Sequence, residues 1–158
     1  MTILVKIDGI KGSNTSQPYE GAIKVESYHL QASRNVSKNM EIGDSRTTGK
    51  VMHSSIIMNK LLDEASTDLL KYFYEAKAIP KVTFYHLSSG KTPQCYLQQT
   101  FKDVIVSRFA ESNNIGSVLE EIELTFISNE KRTSILDKNN VEGTPKSIGF
   151  DSSTLQVI

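Results

Sequence analysis

The histidines and the single cysteine are the first place to look for chemistry, and their spacing argues against a built site. His29, His53, His86 and Cys95 are scattered, with no two histidines at the i, i+2 or i, i+4 separations that set metal ligands side by side. One cysteine excludes an intramolecular disulfide and any multi-cysteine metal cluster. A Cys–His nucleophile pair would need sheet pairing to bring His86 and Cys95 together, which nothing in the sequence specifies. Two Gly-Lys pairs imitate a phosphate-binding loop. After Gly90-Lys91-Thr92 comes Pro93, and Tyr85 stands where the leading glycine belongs, so no helix N-terminus can offer free N–H groups to a phosphate. Gly43 and Gly49-Lys50 have five residues between them instead of four, and Val51 replaces the magnesium-binding Ser or Thr. Both read as glycine turns.

Other reactive-looking groups reduce to surface chemistry. No Gly-x-Ser-x-Gly elbow occurs. Glu120, Glu121 and Glu123 resemble an acid pair, yet Glu121 and Glu123 share the polar face of one strand, whereas glycosidase carboxylates converge on a bond between them. Asn14-Thr15-Ser16 and Asn35-Val36-Ser37 match the glycosylation sequon and are read as loop composition. The expectation is a protein that is not an enzyme and binds no metal or cofactor.

The elements that carry these residues follow a period of two. Ile3, Val5 and Ile7 alternate with Leu4, Lys6 and Asp8 before Gly9 and Gly12. Ile23, Val25 and Ser27 alternate with Lys24, Glu26 and Tyr28; Val51 to Met58 is a mixed candidate; and Lys81–Leu87 carries Val82, Phe84 and His86 on one face. The run Val104-Ile105-Val106, within Cys95 to Phe109, predicts a strand covered on both faces, and Ile122, Leu124 and Phe126 give the clearest alternation. Only residues 63–77 break the rhythm: Leu69, Leu70, Phe73 and Ala76 at helical spacing, Asp63 or Ser66 as cap, acids first and lysines last, with Ile79-Pro80 as the stop. The segment 31–49 is aperiodic and is expected to be a long loop with Ala32, Val36, Met40 and Ile42 as apolar points. The tail 134–158 is polar, punctuated by Gly143, Pro145 and Gly149, and is expected to be a flexible tail. The fold class is therefore mainly β: a two-sheet antiparallel barrel or sandwich with one flanking helix, in a single domain over 1–158.

Charge balance narrows the partners. Eighteen basic and eighteen acidic residues cancel in a chain of 158, which lacks the basic surplus of a nucleic-acid binder and permits self-association. No segment approaches the ~20 apolar residues of a bilayer span, so no membrane insertion is expected. The opening stretch lacks the basic start and the apolar centre of a secretory signal, which gives a cytoplasmic default.

Taken in order, these elements resemble the haemolysin-coregulated protein (Hcp) family, the inner-tube proteins of bacterial type VI secretion systems. The resemblance runs through Ile3 to Ser13 with its glycine turn, Ile23 to Tyr28, Gly49-Lys50-Val51, and Lys60 to Ser66 followed by Leu69. It continues through Lys77 with Pro80, Phe101 to Ser107, and Glu120 to Phe126, covering about residues 1–130. Tyr19, Tyr28, Leu30 and the polar stretch Ser128 to Thr133 depart from the family pattern, and Gly149-Phe150 matches a Gly-aromatic pair near the family's C-terminus.

The resemblance implies a homo-hexameric ring that stacks into a tube. Its implied partners are sheath proteins, a spike protein and effectors carried or chaperoned in the lumen. It also implies residence in the bacterial cytoplasm before firing, then release outside or into target cells without a cleaved signal peptide. On that reading Arg34, Met40, Ile42 and Arg46, in the 31–49 segment, are expected at subunit or ring contacts. Two other readings of the same elements are a phage-type tail-tube protein and a monomeric ligand-binding barrel.

Overall fold

The computed structural model describes residues 1–37, 48–139 and 141–158. Among them the chain forms β1 (Thr2–Ile7), β2 (Ile23–Val25), β3 (Ser27–His29), β4 (Ala32–Val36), β5 (Thr48–His53), β6 (Ile56–Leu61), α1 (Ser66–Glu75) and β7 (Ile79–Leu87). Then follow β8 (Cys95–Asn114), β9 (Ser117–Thr125), β10 (Ser128–Thr133), β11 (Lys146–Asp151) and β12 (Gln156–Val157). All pairings are antiparallel. One sheet runs β12-β11-β10-β8-β7-β1-β2, and the other β3-β6-β9-β8.

Two chain crossings fold these sheets around one core. The first is β8, whose residues up to Val104 pair with β7 and whose residues from Ile105 pair with β9. The bend has a local cause: Asp103 adopts φ 53°, and the register shifts between Val106 and Arg108. The second is Glu26, between β2 on one sheet and β3 on the other, whose N–H donates to the Asn59 carbonyl at 2.9 Å. Ile23 and Ser27 therefore sit on different strands, although their sequence alternates as one.

Alternation places Val5, Ile7, Ile23, Val25, Phe84, Phe101, Ile122 and Leu124 in the shared core. The Phe84 and Phe101 rings meet edge to face at 5.9 Å. The expectation for Val104-Ile105-Val106 needs correction: Val104 and Val106 are buried, but Ile105 is 41% exposed. This run turns β8 from one sheet to the other and leaves Ile105 on the open face.

The helix occupies Ser66–Glu75, shorter than the expected 63–77. Its N-cap is Ala65, without a side-chain cap; Asp63 Oδ1 instead accepts from the Ala65 N–H at 3.0 Å, one turn short of the helix body. The end is set at Ala76, whose left-handed φ of 48° lets Ala76 and Lys77 N–H groups close on the carbonyls of Phe73 and Tyr72. Leu69 enters the core, and Tyr72 lies over Gly9 so closely that a Cβ there would come within 2.5 Å of its hydroxyl. Gly9 also holds φ +85°, so its turn excludes a side chain on both counts.

Two aperiodic stretches contain more structure than their sequences indicate. Segment 31–49 begins and ends in strands, β4 pairing with β5 as a two-stranded ribbon from Ala32↔His53 to Val36↔Thr48. All five residues of β4 are exposed, so no buried face exists to impose alternation. Within 134–158, β11 pairs along β10 and β12 along β11.

Candidate functional site

The strand edges and the ribbon define the surface available to partners. Arg34 sits exposed on β4 opposite Val51. Met40, Ile42 and Arg46, the other expected contact residues, lie outside the described residues. The two sheets do not close into a barrel; the ribbon leaves them at Leu30 and returns at Ser54, anchored where the Ser54 N–H donates to the Gln31 carbonyl at 2.8 Å and Ser54 Oγ accepts from the Gln31 N–H at 2.9 Å.

At the base of the ribbon lies a cleft of about 660 Å³. It lies between β3 with the ribbon's base on one side and β7, β8, β10, β11 and β12 of the long sheet on the other. Leu30, Val51, Ile148 and Val157 supply apolar wall, while Tyr28, His86, Gln99 and Asn129 supply polar groups. The hydroxyl of Tyr28 donates to Gln99 Oε1, and His86 Nε2 stands 2.8 Å from the Tyr28 hydroxyl oxygen. With the phenolic proton engaged by Gln99, His86 Nε2 is assigned as the donor to Tyr28, which places a proton on Nε2. Burial pushes the Tyr28 phenol up to about 12, and burial together with the Lys131 ammonium lowers His86.

His53 closes one side of the cleft between two aromatic rings, Phe126 at 5.7 Å and Phe150 at 5.5 Å. Both its ring nitrogens are buried and without a hydrogen-bond partner, and burial lowers its pKa. Asn129 Oδ1, on the same cleft, is buried and unpartnered too. His29 also lines this cleft, so the fold collects all three histidines that the sequence scatters.

Cys95 is not among them. It packs with Tyr19 and Tyr85 beside Leu4, Ala22 and Leu87, and its Sγ donates to the Leu97 carbonyl at 3.4 Å. Burial raises its pKa, away from the thiolate a nucleophile needs. His86 and Cys95 thus belong to separate clusters. Gly90-Lys91-Thr92 is the β7–β8 turn, and Gly49 lies within β5. Among the described residues, no group of three or more His, Cys, Asp or Glu is placed to hold a metal.

The three glutamates separate as alternation requires. Glu121 and Glu123 bracket Arg108 on the outer face, Glu123 Oε2 accepting from Arg108 Nε at 3.2 Å. Glu120 points inward and meets Lys60, opposite it in the β6–β9 ladder, at 2.6 Å; both side chains are fully buried. Lys60 Nζ also reaches Asp63 Oδ1, Ser66 Oγ and the Leu61 carbonyl at 2.8–2.9 Å, and Ser66 donates to Glu120. This knot ties the helix start to the sheet, and reading the sequence strand by strand missed it. Its one sequence signal is the spacing Lys60, Asp63, Ser66, which stacks on the entry to the helix.

The comparisons place this geometry among known proteins. A family model described as "Type VI secretion system effector, Hcp" matches residues 4–132. A solved chain described as a type six secretion system protein superposes with a TM-score of 0.92 at 21% identity, covering 99% of each chain. Hcp1 from Salmonella typhimurium superposes at 0.80 with 25% identity, covering 99% of this chain and 98% of that one. A chain of the anti-feeding prophage baseplate shares the fold at a TM-score of 0.56 and 11% identity, covering 92% and 90%. No curated protein sequence matches significantly.

Proposed function

The chain belongs to the Hcp family of type VI secretion system proteins, and from that premise we propose that it is a structural subunit of the expelled inner tube. Six copies close into a ring, rings stack, and the tube carries effectors ahead of sheath contraction together with a spike. The protein waits in the bacterial cytoplasm and leaves with the tube. The reading gives it no catalytic centre.

One observation carries this proposal. The ribbon β4–β5 projects from the two-sheet body with every residue of β4 exposed, and only its His53 end packs on the sheet, so the core does not account for its outer rungs. A two-stranded ribbon is marginal alone in water and gains stability when another surface covers it. We place Arg34, Met40, Ile42 and Arg46 in that covered contact. Balanced charge lets many copies accumulate without mutual repulsion.

Light scattering at modest salt tests the reading, with an expected particle about six times the 17.6 kDa chain. A monomer at high concentration would refute it. Replacing Met40 and Ile42 together by Asp should abolish ring stacking while leaving the unfolding transition in place. Unchanged assembly would remove those residues from the contact.

A further inference from the structure

Resting on the tube reading, we propose that the tip of the β8–β9 hairpin of one copy seats, Ile115 first, in the cleft at the ribbon base of the next copy. Both features are apolar surface that the subunit's own core leaves open, and they are complementary. Ile115 is fully exposed at the turn between β8 and β9, so it contributes nothing to its own core. Leu61 and Leu62 lie beside the tip, 48% and 56% exposed, around a shallow depression shared with Gly116 and Val118. The cleft is the opposite form, a concave surface walled by Leu30, Val51, Ile148 and Val157.

Charge agrees with shape. From Phe109 to Glu130 the sequence has neither lysine nor arginine, and Glu111 and Glu64 stand exposed at the tip end. The cleft has Lys131 and neither aspartate nor glutamate in its lining. An acidic apolar projection facing a cationic apolar recess is favoured in encounter and in register.

Position makes the contact intermolecular. The tip lies before Ser117 at the start of β9, and the ribbon base lies near Thr125 at its far end, where His53 meets Phe126. A strand of that length spans roughly 27 Å, too far for the hairpin to reach its own cleft. Projection and recess at opposite ends of a subunit make a heterologous joint, which propagates from copy to copy.

The test uses full-length Ile115→Asp and Ile148→Asp, both at exposed positions, with urea unfolding to confirm that each is folded. Each variant alone should self-associate at least tenfold more weakly than the unsubstituted chain. Mixed, they should regain association through one such joint per pair, because one keeps a working cleft and the other a working tip. In a Cys95→Ser background, Ile115→Cys and Ile148→Cys should give a disulfide-linked dimer when mixed and oxidised, and none separately. Assembly indifferent to Ile115→Asp, or an absent cross-link in material that assembles, overturns the joint and leaves the tube reading standing. An unsubstituted chain that stays monomeric overturns both.

Discussion

Lys60→Met would separate a buried charge from its partner, and the structure gives the size of the effect. Lys60 and Glu120 are both fully buried and meet at 2.6 Å. Without Lys60, the Glu120 carboxylate retains only the Ser66 hydroxyl, since its Oε1 has no hydrogen-bond partner. Removing one member of such a pair costs about 3–5 kcal/mol, and this site falls near the upper end. Glu120→Leu should cost less, about 2–3 kcal/mol, because Lys60 keeps the partly exposed Asp63 at 2.8 Å. The double variant Lys60→Met with Glu120→Leu removes both charges and should return to within about 1 kcal/mol of the parent. Urea unfolding followed by circular dichroism reads this directly. With a slope of about 2 kcal/mol per molar, Lys60→Met should lower the midpoint by about 2 M. A shift below about 0.5 M, or a double variant as weak as Lys60→Met, would refute the view that an isolated buried carboxylate sets the loss.

Two further perturbations follow from the fold. His53 and His86 are held below their ordinary pKa by burial, so the folded chain binds protons less readily than the unfolded one. Stability is then fully present above the unfolded value of about 6.5 and falls as the pH drops through that value toward the folded ones. Thermal unfolding should show a lower transition at pH 5 than at pH 7.5, with the difference reduced in His53→Phe; an unchanged difference would exclude His53 as a source. Gly12→Ala should destabilise by about 2 kcal/mol or more, because its Cβ would come within 2.5 Å of the Ala22 carbonyl oxygen, a backbone atom. A urea midpoint equal to the parent's would show that the turn relaxes freely.

How much of this was legible depended on whether burial left a pattern. Ile122 and Leu124 alternate because one face of β9 meets the core and the other meets solvent, so the period shows directly. In β4 both faces are open, and Ala32 to Val36 reads as loop although it is paired. The helix appeared two or three residues too long at each end because Asp63 has capping chemistry but serves Lys60 and the Ala65 N–H ahead of the first turn. Lys60 and Glu120 are sixty positions apart, and only the β6–β9 register sets them opposite each other. The cleft was hidden for the same reason, since its walls come from strands distant in the chain. The expected contact residue Arg34 lies on an exposed strand, β4, which no alternation in its sequence could reveal.

The continuity of β8 across both sheets has a mechanical consequence. Its twenty residues are laced to neighbours along nearly the whole length. A pull along this strand loads many hydrogen bonds together in shear, and none can yield first while the others hold. A pull across it would peel them one at a time. The subunit should therefore be stiff along one direction and compliant at right angles to it.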